Sequence, residues 1–154
     1  MSGSIVGRCQ CESLRFELNA APLFTHACHC LVCQRRVGSA FGLSTFVLRK
    51  DFVLTHGEFS AKAISPRTTV HQCSACGTTV YSASTVFPAT FNVRGGTFDD
   101  PGFVEPGAHI WVKRKHPWIE LPEGVPQFDE DYVPEDTWPS SALERLQNAL
   151  TDLS

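Results

Sequence analysis

The cysteine residues are the side chains of this sequence whose number and spacing could do chemistry. There are seven, and they fall into three tight groups: Cys9-x-Cys11, Cys28-x-Cys30-x-x-Cys33 and Cys73-x-x-Cys76. An odd number of cysteines cannot all form disulfides within one chain. In a reducing compartment, closely spaced cysteines more often bind a metal or act in catalysis. We therefore interpret the groups first as metal ligands.

Seven sulfur atoms divide into one closed and one open zinc site. Structural zinc has four protein ligands, whereas catalytic zinc keeps three and leaves one position free for substrate. The pairing that we favour gives the structural site the first and third groups: Cys9, Cys11, Cys73 and Cys76. The open site then takes the middle group: Cys28, Cys30 and Cys33.

Local geometry allows each group to present its sulfurs to one ion. Residues i and i+2 of a strand point to the same face, so a C-x-C pair on a strand can bind one metal. A C-x-x-C turn also brings two sulfurs together. Gly77 follows directly after Cys76, where a tight turn often requires glycine.

Other interpretations of the cysteines remain open. A rival pairing joins Cys30 and Cys33 to Cys73 and Cys76 as a zinc ribbon, with 39 residues between the pairs. Some of the cysteines would otherwise be small buried apolar residues. A C-x-x-C pair can also be a redox dithiol, although the surroundings here are not the strand-to-helix context of thioredoxin-like motifs.

Short strand-like segments dominate the first 115 residues, and they would position the cysteines. Residues 13–18 alternate apolar and charged side chains, which is typical of a half-buried strand. Turn-forming residues separate many of these segments. This spacing predicts a mainly-β domain rather than a βαβ repeat. The further predicted strands are 41–48, 58–64, 68–72, 78–84, 89–93 and 108–113.

The C-terminal part has a different composition. Residues 117–139 are rich in proline and acidic side chains, which predicts irregular chain on the surface and not a cation site. Residues 140–153 predict a packing helix, and Ser141 with Glu144 fits a capping box at its start. The predicted buried face of this helix consists of Leu143, Leu146, Leu150 and Leu153.

Composition excludes several classes of protein. A chain of 154 residues fits one domain with a sizeable core. Its net charge of -3 does not suggest a nucleic-acid-binding protein, which usually has a basic excess. No secretory signal begins the sequence, and no segment approaches the roughly 18 apolar residues of a membrane span. We expect a cytoplasmic protein that binds neither nucleic acid nor membrane.

Six segments occur in the order found in one known family, and they cover roughly residues 5–128. The combination of C-x-C, CHC-x-x-C and C-x-x-CG is specific. With these motifs the sequence resembles the glutathione-dependent formaldehyde-activating enzyme family, zinc proteins of the β-tent fold. The segments are GRCQCESLRF (7–16), CHCLVCQRRVGSAF (28–41), HQCSACGTTV (71–80), TFDDP (97–101), HIWVKRKHPW (109–118) and GVPQF (124–128).

The resemblance implies a fold and an activity. The fold would be a zinc-stabilised β-tent of stacked antiparallel sheets over residues 1–128. The acidic segment and helix of residues 129–154 lie outside the shared pattern, and we expect them to pack on the same domain. Two Zn²⁺ sites are implied, and their ligands match the pairing favoured above. The implied reaction joins glutathione and formaldehyde to S-(hydroxymethyl)glutathione, a carbon–sulfur lyase activity. Gln72 departs from the pattern, because many relatives have an aromatic residue there.

The missing fourth cysteine of the middle group has a chemical interpretation. Three thiolates on Zn²⁺ give a net charge of -1, which makes the metal a weak Lewis acid toward water and suits a soft fourth ligand. A substrate thiol bound there would lose its proton at neutral pH. Our hypothesis is that the fourth cysteine is absent so that a substrate thiol takes its place.

Several other side chains are candidates for supporting roles. Arg35 and Arg36 could attract a carboxylate of glutathione, and Trp111 and Trp118 are expected to be buried. His29 should point away from the metal, because it alternates with its cysteine neighbours. The sequence does not single out one proton donor among five histidines: His26, His29, His71, His109 and His116.

Three functions are compatible with these observations. The first is an enzyme that adds a small thiol, such as glutathione, to an aldehyde. The second is a zinc-stabilised module without catalysis that binds glutathione or a protein partner. The third is a thiol redox enzyme, which would require a cysteine of low pKa that no metal occupies.

Overall fold

The chain has a mainly-β fold with two sheets in a computed structural model that describes residues 3–154. The predicted fold class and the C-terminal helix are thereby confirmed. The strands are β1 (Ile5–Arg8), β2 (Arg15–Leu18), β3 (Phe24–Cys28), β4 (Gly42–Leu48), β5 (Phe52–His56), β6 (Phe59–Ser65), β7 (Thr68–Cys73), β8 (Thr79–Ser84), β9 (Thr90–Arg94) and β10 (Ala108–Ile110). The α-helices are α1 (Leu31–Val37), α2 (Pro134–Thr137) and α3 (Ser140–Asp152).

The two sheets differ in size and in strand direction. The smaller sheet has three antiparallel strands in the order β1–β2–β5. The larger sheet has the order β10–β3–β4–β9–β8–β7–β6. Its neighbours are antiparallel except at one edge, where β10 pairs parallel with β3. None of the helices within residues 3–154 is long and apolar enough to cross a membrane.

The structure contains five strands and α-helices that the sequence patterns did not predict: β1, β3, β5, α1 and α2, the last of which lies in the segment 117–139 that was predicted to be irregular. Strand β3 shows no polar–apolar alternation, because its last four residues are all buried. Helix α1 has only seven residues and buries none of them, so it carries no apolar periodicity. The predicted strand 108–113 ends at Ile110, since Trp111 adopts a left-handed conformation with φ of 54°.

The main core lies between the two sheets and is rich in aromatic side chains. The Phe16 ring stacks on Phe52 at a centroid distance of 4.9 Å and meets the edge of Phe98 at 5.5 Å. Gly7 crosses directly over this ring, because a Cβ atom there would lie 2.3 Å from Cζ of Phe16. Only glycine therefore allows β1 to pack against the core at this point.

A second core lies between the larger sheet and the C-terminal segment. Adjacent residues of β4 point to opposite faces, so Val47 packs in the first core and Leu48 in the second. Trp138 is only 8% exposed, and its ring packs on Phe24 and Phe46 at centroid distances of 5.6 and 5.1 Å. The C-terminal segment therefore covers a face of the sheet that would otherwise be apolar and exposed.

Two details predicted for the terminal helix are wrong. The residue before α3 is Pro139, and no side chain caps the helix, so Ser141 and Glu144 do not form a capping box. Leu153 lies beyond the helix and is 61% exposed. Leu143, Leu146 and Leu150 do pack against the second core as predicted, and Ala142 and Ala149 add buried contacts, because their small side chains let the helix approach the sheet closely.

Packing of the C-terminal segment can be tested with two tryptophan variants. Trp138→Ala should lower the free energy of unfolding by about 3 kcal/mol or more, because it removes a buried aromatic side chain. The matched control Trp118→Ala removes a side chain that is 73% exposed, and should cost less than about 0.5 kcal/mol. Denaturant unfolding of the metal-loaded protein measures both. Equal effects would contradict the packing described here.

Candidate metal centres and substrate cleft

Four cysteine sulfurs from two distant parts of the chain form a compact group. Within it, Sγ of Cys11 lies 3.5 Å from Sγ of Cys9 and 3.9 Å from Sγ of Cys73. A tetrahedral zinc ion with Zn–S bonds of about 2.3 Å requires sulfurs about 3.8 Å apart. The spacing therefore fits a zinc ion. The sulfurs that lie within 4.8 Å of one another are those of Cys9, Cys11, Cys73 and Cys76.

Two facing turns bring these sulfurs together. The first turn follows β1, where the amide of Glu12 donates to the Cys9 carbonyl oxygen over 3.1 Å and Glu12 has φ of 62°. The C-x-C pair therefore sits in a turn and not on a strand, contrary to the strand argument from sequence. The second turn follows β7, where the Gly77 amide donates to the Cys73 carbonyl and glycine has φ of 76°. This positive φ explains the glycine after Cys76.

Hydroxyl groups beside the sulfurs stabilise their thiolate forms. The Ser13 hydroxyl lies 3.0 Å from Sγ of Cys11 and 3.4 Å from Sγ of Cys73, and its hydrogen bond lowers the pKa of Cys73. The Thr78 hydroxyl lies 3.1 Å from Sγ of Cys76 and lowers the pKa of that thiol to about 5. Sequence reasoning missed both residues. The sequence feature that could have indicated them is a residue with a hydroxyl side chain two positions after a cysteine.

The remaining three cysteines form a second group where β3 meets α1. Cys28 ends β3, and Cys30 is the residue that caps α1, where its Sγ accepts a hydrogen bond of 3.3 Å from the Cys33 amide. The three sulfurs lie within 4.8 Å of one another, which again fits one metal ion. Within residues 3–154 no fourth His, Cys, Asp or Glu joins them.

The second group has its own electrostatics. A hydrogen bond from the Cys28 thiol lowers the pKa of Cys33 to about 6, and the Arg94 guanidinium contributes in the same direction. Because Cys28 donates this hydrogen bond as a thiol, the same contact raises the pKa of Cys28. The structure places Cys30 with Cys28 and not with Cys73, so the ribbon pairing is not formed.

A cleft of about 740 Å³ adjoins the second group. A Cβ atom at Gly42, which lines the cleft, would lie 3.5 Å from Cβ of Cys33 and 3.7 Å from Nη1 of Arg94. The cleft and the three-cysteine group therefore share a wall. Its charged lining residues are all basic within the described chain: Arg36, Lys62 and Arg94. An anionic ligand is the type that such a cleft attracts.

Arg94 is the side chain of this cleft that sequence reasoning missed. It ends β9 opposite Ser44 of β4 and is half-buried. Burial lowers its pKa, and the thiolate charge of Cys33 acts in the opposite direction. The sequence feature that could have indicated Arg94 is an arginine at the end of a strand, directly before Gly95. Arg36 also lines the cleft, whereas Arg35 does not.

Gln72 and the segment after α1 also belong to the cleft. Gln72, which departs from the family pattern, lines the cleft and donates a hydrogen bond of 3.0 Å to the Thr79 hydroxyl. Gly38 ends α1 with φ of 65°, and Ser39 and Phe41 after it line the cleft. The segment is therefore both a turn and a pocket wall.

The histidines lie outside the sulfur groups and do not line the cleft within the described residues. His29 is fully buried, and its Nε2 lies 3.1 Å from Nδ1 of His109. Burial lowers the pKa of His29 to about 4 and also lowers that of His109, so this pair is neutral at pH 7. His29 therefore faces away from the sulfurs, as its alternation with the cysteines suggested.

Three further histidines make contacts that stabilise the fold. His26 forms a hydrogen bond with Tyr132, His71 stacks on Tyr81 at a centroid distance of 4.4 Å, and Nε2 of His116 lies 2.8 Å from Oε1 of Gln34.

Both Trp111 and Trp118 were expected to be buried, and for Trp118 this prediction is wrong. Trp118 is exposed, because the chain leaves the sheet at Trp111 and continues as a short 3₁₀ turn over 112–114. Trp111 itself is partly buried, with the ammonium group of Lys113 over its ring at 5.1 Å.

Fold and sites together define a mainly-β protein with two candidate metal centres and a basic cleft. Comparison with protein families identifies the class further: the family model described as glutathione-dependent formaldehyde-activating enzyme matches residues 4–114. The chain belongs to this family, which confirms the resemblance seen in the sequence.

Comparison with solved structures supports the fold and carries no information about activity. The crystal structure of a Rhodobacter sphaeroides protein, a structural genomics target, is 17% identical with a TM-score of 0.51. The match covers 62% of this chain and 88% of that one. At this identity the likeness concerns the fold alone. No curated protein matches the chain.

The contribution of the Ser13 hydroxyl to metal retention at the four-cysteine group can be tested by mutation. Ser13→Ala should weaken zinc retention at this group by about tenfold or more, because hydrogen bonds to metal ligands set metal affinity. Competition with a chromophoric chelator measures the effect. Ser74→Ala is the matched control, since Ser74 lies between Cys73 and Cys76 but its hydroxyl contacts no sulfur. Identical zinc release from both variants would contradict the role of Ser13.

Proposed function

We propose that the protein is a zinc-dependent enzyme of the carbon–sulfur lyase type. It adds glutathione to formaldehyde, or to a related small aldehyde, and the product with formaldehyde is S-(hydroxymethyl)glutathione. The observation that carries this proposal is a group of three sulfurs that no fourth ligand joins within residues 3–154, beside a basic cleft. Membership of the family supports glutathione and formaldehyde as the reactants.

The two cysteine groups have different roles in this proposal. Cys9, Cys11, Cys73 and Cys76 would hold a structural zinc, since four thiolates complete its coordination. Cys28, Cys30 and Cys33 would hold the second zinc. When bound there, zinc would supply an open position that keeps a substrate thiol deprotonated at neutral pH.

The cleft would bind the rest of the thiol substrate. Glutathione carries two carboxylates, and Arg36, Lys62 and Arg94 offer three cations within one cleft. A volume of about 740 Å³ is in the range of small-molecule sites and is large enough for a tripeptide. Arg94 lies beside Cys33, so it would bind a carboxylate close to the thiol of the central cysteine residue of glutathione.

The proposed reaction balances without an oxidant or a further reactant. The substrate sulfur forms a bond to the carbonyl carbon while the C–O π bond breaks. The carbonyl oxygen takes up a proton from water in the cleft, and the proton of the original thiol is released to solvent. The net change is addition of S–H across C=O. The chain contributes orientation and charge, since no histidine lines the cleft among the described residues.

We further propose a cytoplasmic location. All seven cysteines are free thiols in the structure, and a reducing compartment keeps such ligands available for metal.

Activity must exceed the spontaneous reaction of the two compounds. NMR exchange spectroscopy with ¹³C-formaldehyde and glutathione measures the rate at which free and thiol-bound formaldehyde interconvert. The wild-type protein should raise this rate, and Cys30→Ser should return it to the spontaneous value. The variant should retain one zinc per chain in place of two, because the four-cysteine group is unchanged. Glutathione binding without any increase in rate would instead support a non-catalytic binding module.

The role of the cleft is tested by a charge variant. Arg94→Gln should raise KM for glutathione by about tenfold with a smaller change in kcat, because it removes a half-buried partner of an anionic group. Arg35→Gln is the matched control: it removes a cation from α1 that does not line the cleft. KM for glutathione should change less than about twofold in this control. An unchanged KM in Arg94→Gln would contradict carboxylate binding by Arg94.

A further inference from the structure

Helix α1 carries two groups of the proposed site but has little stability of its own. It brings Cys33 to the three-cysteine group and Arg36 to the cleft. The helix spans only seven residues and buries none of them. A helix of this length is not stable by itself in water, so contacts with the rest of the chain must hold it in place. One side chain of the helix, that of Gln34, makes such contacts and has no role in the function proposed above.

The side-chain amide of Gln34 makes three hydrogen bonds. Its Nε2 donates to the carbonyl oxygen of His29 over 2.7 Å and to that of Arg114 over 2.9 Å. Its Oε1 lies 2.8 Å from Nε2 of His116. Both hydrogens of the amide and its oxygen are therefore used.

The chemistry of the partners fixes the direction of each bond. Carbonyl oxygens only accept, so the NH₂ group of Gln34 must face the carbonyls of His29 and Arg114, since the reversed amide would bring oxygen against oxygen. Oε1 can only accept, so Nε2 of His116 carries a hydrogen and donates it. Nδ1 of the same ring accepts from the Nε1–H of Trp118 over 3.3 Å, which agrees with a ring hydrogen on Nε2 alone.

One of these bonds ties Gln34 to the backbone between the other two cysteines. His29 lies between Cys28 and Cys30, and its own amide donates to a carbonyl oxygen of β10 over 2.9 Å. Gln34 binds the carbonyl of the same residue and directly follows Cys33 in the chain. A single side chain therefore joins the helix that carries Cys33 to the segment that carries Cys28 and Cys30.

The other two bonds of Gln34 reach a segment that is anchored elsewhere. Arg114 ends the 3₁₀ turn that follows β10, and the amide of Val112 at the start of this turn donates to the Phe128 carbonyl oxygen over 3.1 Å. The turn is therefore fixed to the chain beyond the family match. Through Gln34, this turn also supports α1.

We propose that Gln34 is a positioning residue for the metal of the three-cysteine group. Its hydrogen bonds hold Cys33 at the distance from Cys28 and Cys30 that one ion requires. Loss of outer contacts that orient metal ligands typically lowers metal affinity by about 10- to 100-fold. The inference rests on the proposed zinc at this group. It predicts that loss of the Gln34 amide weakens this zinc and leaves the four-cysteine zinc unchanged.

Competition with a chromophoric chelator measures zinc affinity at both groups of the full chain. Cys30→Ser, which should keep only the four-cysteine zinc, assigns the two affinities. Gln34→Leu removes all three hydrogen bonds, and it should weaken the three-cysteine zinc by about tenfold and the other zinc by less than about twofold. Arg35→Leu is the matched control on the same helix, because its side chain is exposed and makes no hydrogen bond within residues 3–154. Both affinities should stay within about twofold in this control.

Hydrogen exchange of the metal-loaded protein tests the anchoring of α1 itself. The amide of Gly38 donates to the backbone carbonyl oxygen of Gln34 at the end of the helix over 2.9 Å. This amide should exchange about tenfold faster in Gln34→Leu, because the helix has lost its hydrogen bonds to the rest of the chain. In Arg35→Leu its exchange should stay within about twofold of the wild-type rate.

The outcomes separate this inference from the proposed function. Two zinc ions in the wild-type protein, with equal affinity for the second in Gln34→Leu and Arg35→Leu, would overturn this inference alone. Equal weakening of both zinc ions in Gln34→Leu would indicate a general loss of stability and would also overturn it. A single zinc in the wild-type protein would overturn it together with the proposed function. If Gln34→Leu does not fold, Gln34→Glu replaces it, since it keeps the acceptor for His116 but loses both donors.

Discussion

The contact among the sulfurs of Cys9, Cys11, Cys73 and Cys76 joins the two sheets of the protein. Cys9 and Cys11 lie in the turn after β1 of the smaller sheet, and Cys73 ends β7 of the larger one. Thiolates at these separations repel one another unless a cation lies between them. Metal bound here would therefore contribute its binding free energy directly to folding. The aromatic core around Phe16 packs between the two sheets that this contact joins.

The three-cysteine group depends on a different support. Cys28 is fixed by pairing of β3 with β4 on one side and β10 on the other, whereas α1 buries none of its residues. One wall of the site is therefore rigid, and the other is a short surface helix next to solvent. This combination suits a site that must keep ligand geometry and admit a substrate. Arg94 belongs to the rigid wall, because β9 pairs with β4 and places it beside Cys33.

Local patterns in the sequence were sufficient for the cysteine groups, the alternating strands and the terminal helix. They were not sufficient for side chains brought together by pairing register. Arg94 reaches Cys33 only because it lies opposite Ser44 on β4. His26 meets Tyr132 across 106 positions of sequence. Strand β3 was missed for a related reason: burial on both faces removes the alternation that marks a strand. Trp118 was expected to be buried, but it is exposed because the chain leaves the sheet at the left-handed turn of Trp111.

The central claim is that one metal site is closed by four cysteines and the other is completed by a substrate thiol. ¹¹³Cd NMR of the cadmium-substituted protein, recorded before and after addition of glutathione, tests this most directly. The predicted result is two resonances, one unchanged by glutathione and a second that shifts downfield as a fourth sulfur enters the coordination. Cys30→Ser should remove the second resonance alone. Two resonances that both keep their chemical shifts when glutathione is added, or a single resonance assigned to the four-cysteine group, would contradict the claim.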